Sequence, residues 1–182
     1  MTSVRIWGTG AGAAVVLVAA GVWARGTSAV DAGLWAEVRP AIEARLVTQS
    51  AGTGAGESEP SLGSRWFCRA EALDLEASGG RVRAGINTLC EEYGQRAGAL
   101  VLCGGAEIPE VVRLERDPAG GGYRVVSEEQ APEDDSAEWL EHHFSHHAVA
   151  RLEQGMTSAV LRAAARTHFG LPAGAPVRDC QP

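Results

Sequence analysis

Residues 66–90 read WFCRAEALDLEASGGRVRAGINTLC. Their period is two. Phe67, Arg69, Glu71, Leu73 and Leu75 fall on one parity, and Trp66, Cys68, Ala70 and Ala72 on the other. That alternation predicts a strand with two unlike faces. Ser78-Gly79-Gly80 reads as a hairpin turn, and RVRAGINTLCEEY reads as the returning strand. If the turn holds three residues, Ala77 sits opposite Arg81 and paired numbers sum to 158. Cys68 then falls directly opposite Cys90, within disulfide reach.

Working outward, the pattern continues as strands. ALVLCGGAEIPEVVRLER is a third extended stretch, with Gly104-Gly105 and Pro109 marking a bulge or break. DPAGGG is another turn, and YRVVSEEQ is a fourth strand. Residues 50–64 are rich in Gly and Ser and read as a flexible loop. Before them, SAVDAGLWAEVRPAIEARLVTQ places Leu34, Trp35, Val38, Ile42 and Leu46 at spacings of three and four. This is an amphipathic helix of about four turns, capped by Asp31 or Ser28. Pro40 should kink it or restart it.

Two helices follow the strands. The first, DDSAEWLEHHF, is capped by Asp135 or Ser136. The second is HHAVARLEQGMTSAVLRAAARTHF, with Val149, Leu152, Met156, Ala159, Val160 and Ala163 on its apolar stripe. Gly170 and Pro172 end it, and residues 170–182 form an extended Pro/Gly-rich tail. The expected fold is α+β: one helix packed on a four-stranded antiparallel meander, with C-terminal helices. Helix-then-meander is the order of a cystatin-like or NTF2-like domain, here residues 29–169.

Residues 1–28 read as a signal anchor or signal peptide. Arg5 precedes an uncharged run over residues 6–24, and Arg25 follows. As a helix the run spans roughly 28 Å, close to the ~30 Å hydrocarbon core. Val22-Trp23-Ala24 offers a cleavage site after Ala24, although the bulky Trp23 favours retention. The charge pattern places the C-terminal domain outside the membrane. GTGAGA at Gly8–Ala13 matches a dinucleotide fingerprint, but no βαβ alternation follows it, and GTGAG recurs at Gly52–Gly56.

All sixteen basic residues are arginine, which excludes Schiff-base and P-loop lysines. A net charge of -7 argues against nucleic-acid binding. There are four cysteines, and no C-x-x-C. An even count in an exported chain points to disulfides. The strand register favours Cys68–Cys90, leaving Cys103–Cys180 to pin the tail; buried free thiols are the alternative.

The segment from Trp66 to Phe144 resembles a group of actinobacterial exported proteins. The resemblance rests on Trp66, Cys68, Ala70 and Leu73, then Cys90 and Tyr93, then Pro109, Val111 and Val112, then Tyr123, Val125, Pro132, Asp134 and Phe144. It implies an N-terminally anchored or secreted domain and no particular activity. Ser145 stands where the pattern has Pro, and Cys103 and Cys180 are additions.

Chemistry concentrates in EHHFSHH. His142/His146 and His143/His147 are spaced to share a helix face. They could hold a metal, with Glu138 or His168 completing the site, or gain charge in mild acid. However, His143 occupies the place of the catalytic Glu of an H-E-x-x-H site. The resemblance also puts a helix break near Ser145. A bend there makes Phe144 a core anchor and leaves the histidines in solvent. Among the carboxylates, Glu71 shares a parity with Leu73 and Leu75 and could point into a concave sheet; otherwise it is a rim charge.

No cofactor is implied. The partners are the membrane, through residues 6–24, and an envelope protein or ligand. The leading expectation is a non-enzymatic, membrane-anchored extracytoplasmic domain. The alternatives are a small-ligand or enzymatic pocket between sheet and first helix, and a metal- or pH-responsive protein acting through the histidines.

Overall fold

A computed structural model describes residues 30–52, 60–132 and 134–180. The expected membrane segment, residues 6–24, lies outside the described residues. Among those described, no helix is long and apolar enough to cross a membrane.

The described residues form an α+β fold, with four α-helices and a mixed sheet of five strands. Helix α1 (Ala32–Gly52) precedes a short 3-10 turn (Pro60–Leu62). Strands β1 (Arg65–Ser78), β2 (Arg81–Arg96), β3 (Ala99–Arg116) and β4 (Tyr123–Gln130) follow, then α2 (Ser136–His143), α3 (His146–Leu152), α4 (Ala159–His168) and β5 (Val177–Asp179). The four long strands pair in sequence order, all antiparallel.

The meander expectation missed β5. It runs parallel to β3, pairing Val177 with Leu100 and Asp179 with Leu102. Strand β3 is 18 residues long, so β5 uses its first part and β4 its last, along the same edge. The Pro/Gly-rich tail is thus part of the sheet.

Helix α1 begins where Asp31 Oδ1 accepts from the Leu34 N–H at 2.9 Å, a side-chain N-cap. It runs 21 residues, longer than four turns, and passes through Pro40 without a break. Proline removes one backbone donor, yet the helix is continuous from Ala32 to Gly52. Val38, Ile42 and Leu46 are buried against Ala70, Val82, Ala84, Ile86, Val112 and Leu114.

Three bulges shape the sheet. The β1–β2 turn holds two residues, not three. Gly79 and Gly80 both have positive φ, 58° and 79°, the conformation a tight hairpin needs. Ser78 therefore faces Arg81. One extra residue in β1, Leu73, then shifts the register, and Cys68 faces Cys90. Strand β3 runs on through Gly104, Gly105 and Pro109; its bulge is at Cys103, between the Tyr93–Leu102 and Glu92–Gly104 pairs. Strand β4 bulges at Val126. Bulges increase local twist and curvature.

The opposite sheet face is covered by α2–α4. Leu73 and Val111 pack on Trp139, Phe144 and Ala148. Leu89, Tyr93 and Leu100 pack on Leu161 and Ala165. The long second helix expected after His146 is two helices. Gly155 (φ 65°) breaks it, and Glu107 accepts from the Met156 N–H at 3.0 and 3.1 Å. Consequently Val160, placed on the expected stripe, is exposed, and Leu161 takes the core position.

Both disulfides are formed, Cys68–Cys90 with Cα atoms 4.1 Å apart and Cys103–Cys180 at 4.6 Å. The second closes the tail just beyond β5. Two disulfides suit an oxidising, extracytoplasmic compartment.

Candidate functional site

The histidine cluster is split. The chain leaves helical geometry at Phe144 (φ -124°, ψ 152°). Ser145 then caps α3, its Oγ accepting from the Ala148 N–H at 3.2 Å. Asp74 fixes the bend: its carboxylate accepts from the Ser145 N–H and Oγ, both at 2.9 Å. Neither histidine pair therefore lies on one helix, and the i, i+4 spacing loses its geometric meaning. Phe144 is buried among Leu73, Val111 and Trp139.

The histidines have separate surroundings. His142 lies 3.6 Å from Glu138 on the exposed face of α2. His143 stacks on Trp139, with ring centroids 4.4 Å apart, and meets Glu129 at 3.2 Å. His146 and His147 are exposed. His168 sits at the end of α4, edge-on to Phe67. Among the described residues, no three His, Cys, Asp or Glu side chains converge on a metal-binding arrangement. Glu129 is the charged centre here. The Trp139 indole N–H holds its carboxyl below the ordinary range against partial burial, with His143 and Arg113 adding to the effect.

Glu71 is a rim charge. It pairs with Arg69 at 3.0 Å and approaches Arg151 at 4.0 Å. The Leu73 bulge explains the misreading: Leu73 packs under α2 and α3, and Leu75 under α1. Equal parity across a bulge no longer means a shared face.

The concave face instead holds a different acid. A cavity of ≈ 600 Å³ lies between the C-terminal half of α1 and the sheet. Its apolar lining includes Leu46, Trp66, Ala106 and Ile108, beside Cys90 of the first disulfide. Its polar lining includes Thr88, Glu110, Glu128 and Gln130. This combination of an apolar wall with a few placed polar groups is typical of small-ligand sites, and the volume falls in their range.

Glu110 is 1% exposed. Its Oε1 accepts from Gln130 Nε2 at 3.0 Å and lies 3.3 Å from Thr88 Oγ1. Its Oε2 is buried with no hydrogen-bond partner among the described residues. Burial lifts the carboxyl above its ordinary range. The bonds from Gln130 and Thr88 oppose that, and the nearby Glu128 charge adds to it. Glu128 is itself held by Arg45, at 2.8 Å, and by Gln49.

A detectable signal lay in the sequence. Ile108, Glu110, Val112 and Leu114 alternate as one parity of β3, with a carboxylate in an apolar row. Other buried acids serve the fold. Glu92 accepts from Ser64 Oγ at 2.5 Å. Glu91 accepts from Ser158 Oγ at 2.6 Å and from the Tyr93 hydroxyl at 2.7 Å, pinning α4 to the sheet. A second hollow, ≈ 940 Å³, surrounds the β1–β2 turn. Arg81–Glu115 and Arg83–Glu76 pairs are among its lining, and among the described residues it contains no buried unpaired polar atom of the kind seen at Glu110.

Comparison with known protein families, with curated proteins and with solved structures gave no match.

Proposed function

We propose that the chain is an extracytoplasmic small-ligand-binding domain, using the cavity between α1 and the sheet. The observation that carries this reading is a cavity of ligand size whose lining includes Glu110, a buried carboxyl with one oxygen unpaired among the described residues. Leaving such an atom unpaired costs about 1–3 kcal/mol, a cost that a bound ligand's polar group would offset. The helix-then-meander order and the curved sheet support the comparison with cystatin-like and NTF2-like domains, whose first helix closes a concave sheet. The reading includes anchoring through residues 6–24, or secretion after cleavage behind Ala24.

The activity proposed is binding rather than catalysis. Among the described residues, the cavity lining offers one buried acid and no nucleophile paired with a base. An envelope protein could deliver or receive the ligand. A fragment screen followed by amide NMR of the full chain tests the reading. Ligands should shift Thr88, Ala106 and Ile108 before any residue of α2 or α3. Fragments that shift only the α2–α3 surface would contradict it.

A further inference from the structure

The cavity's charge balance names a ligand class. Among the described residues two carboxylates line it, Glu110 and Glu128, and no arginine or histidine does. Glu128 is partly neutralised by Arg45, whose side chain is 51% exposed and lies at the outer side. Among the described residues nothing comparable serves Glu110: its contacts are the neutral Gln130 and Thr88. Thr88 Oγ1 also donates to the Ile108 carbonyl at 2.8 Å, so its single proton is shared between the two acceptors.

An anionic ligand would have to compete with Glu128 for Arg45. A neutral ligand could accept a proton from Glu110 but would leave the ionised Glu110 without a counter-charge. A cation satisfies both. It would form a charge-assisted bond to Glu110 Oε2 once that side chain turns toward the cavity, feel the field of Glu128, and lie beside the apolar lining of the cavity.

Resting on the pocket reading above, we infer that the site takes a small organic cation, an ammonium group on an apolar body. The ammonium meets the unpaired oxygen of Glu110, and the body lies along Leu46, Trp66, Ala106 and Ile108. Where Glu110 is protonated in the free protein, the step is Glu110–COOH plus R–NH₃⁺ giving Glu110–COO⁻ paired with R–NH₃⁺, and one proton released to solvent.

The test titrates the full chain with benzylamine, benzyl alcohol and benzoate, three probes of one shape and different charge. Binding is read from the amides of Thr88, Ala106 and Ile108. Benzylammonium should bind roughly tenfold tighter than benzyl alcohol, the scale of one charge-assisted bond, and benzoate should not bind. Its affinity should rise as pH rises through the raised Glu110 titration and the carboxyl loses its proton. Calorimetry in buffers of different ionisation heat should show proton release. Glu110→Gln should remove the preference for the amine and the pH dependence together.

Benzyl alcohol binding as tightly as benzylamine would overturn the cation inference and leave the pocket reading standing. So would an affinity that falls as pH rises, the sign expected if neutral Glu110 donates to the ligand. Lining amides unmoved by all three probes and by the wider fragment set would overturn the pocket reading itself.

Discussion

Cys68 lies directly across from Cys90 although the turn between their strands is one residue shorter than the spacing suggests. Ser78 pairs with Arg81 around Gly79-Gly80, so numbers near the turn sum to 159. The bulge at Leu73 adds one residue to β1, and beyond it Ala72 pairs with Ile86 at a sum of 158. Turn and bulge compensate, and the cysteines meet. The same bulge sends Leu73 and Leu75 to opposite faces, building both cores from one strand.

The two disulfides should differ in worth. They close loops with sequence separations of 22 and 77. Loop-closure entropy gives about 3 kcal/mol for the first and about 4.5 kcal/mol for the second. Cys68→Ser/Cys90→Ser and Cys103→Ser/Cys180→Ser variants should lose stability in that order in urea denaturation. Intact mass of the exported chain should rise on reduction; an unchanged mass would mean free thiols.

Gly85 and Phe144 should behave as one unit. A Cβ at Gly85 would lie 2.9 Å from Phe144 Cε1 and 3.2 Å from Cδ1. Gly85→Ala is therefore overpacked and should cost about 1–3 kcal/mol. Phe144→Leu leaves room there. The double variant should be less destabilised than the sum of the singles, a coupling that a denaturation cycle measures.

The helix break should be held by Asp74 and Ser145 together. Ser145→Ala removes the α3 cap and should cost about 1 kcal/mol. Asp74→Ala removes the acceptor of two bonds. With both changed, the loss should again fall short of the sum. Circular dichroism should show no longer helix in its place, because Phe144 stays committed to the core.

Much of this was legible in the sequence because it rests on local pattern. The α1 stripe and the four strands follow from periodicity and turn residues, whereas the break after Phe144 was implied by the resemblance. Strand β5 was not legible, because three residues carry no period and are fixed by the Cys103–Cys180 bond and by β3. Pro40 does not restart the helix, because packing of Val38, Ile42 and Leu46 outweighs one missing backbone bond. The acid of the cavity was sought at Glu71 rather than Glu110. Strand parity is trustworthy only between bulges, and nothing local in DLEAS announces the one at Leu73.

Glu110 should give stability a pH dependence of definite sign. Its carboxyl titrates above its unfolded value when the chain is folded. Between the two values the folded chain holds a proton that the unfolded chain has released. The contribution is complete below the unfolded value and declines as pH rises through the folded one. Glu110→Gln should remove this slope and be more stable than the parent at neutral pH. A variant that is less stable there would mean that the ionised carboxylate is well satisfied.

The most direct test of the account is the side-chain carboxyl of Glu110, followed by ¹³C NMR through a pH titration with and without a bound fragment. The account predicts a midpoint above the ordinary carboxylate range in the free protein, and a clear displacement when a fragment occupies the cavity. A Glu110 that titrates in the ordinary range, and that no cavity-bound fragment moves, would contradict it.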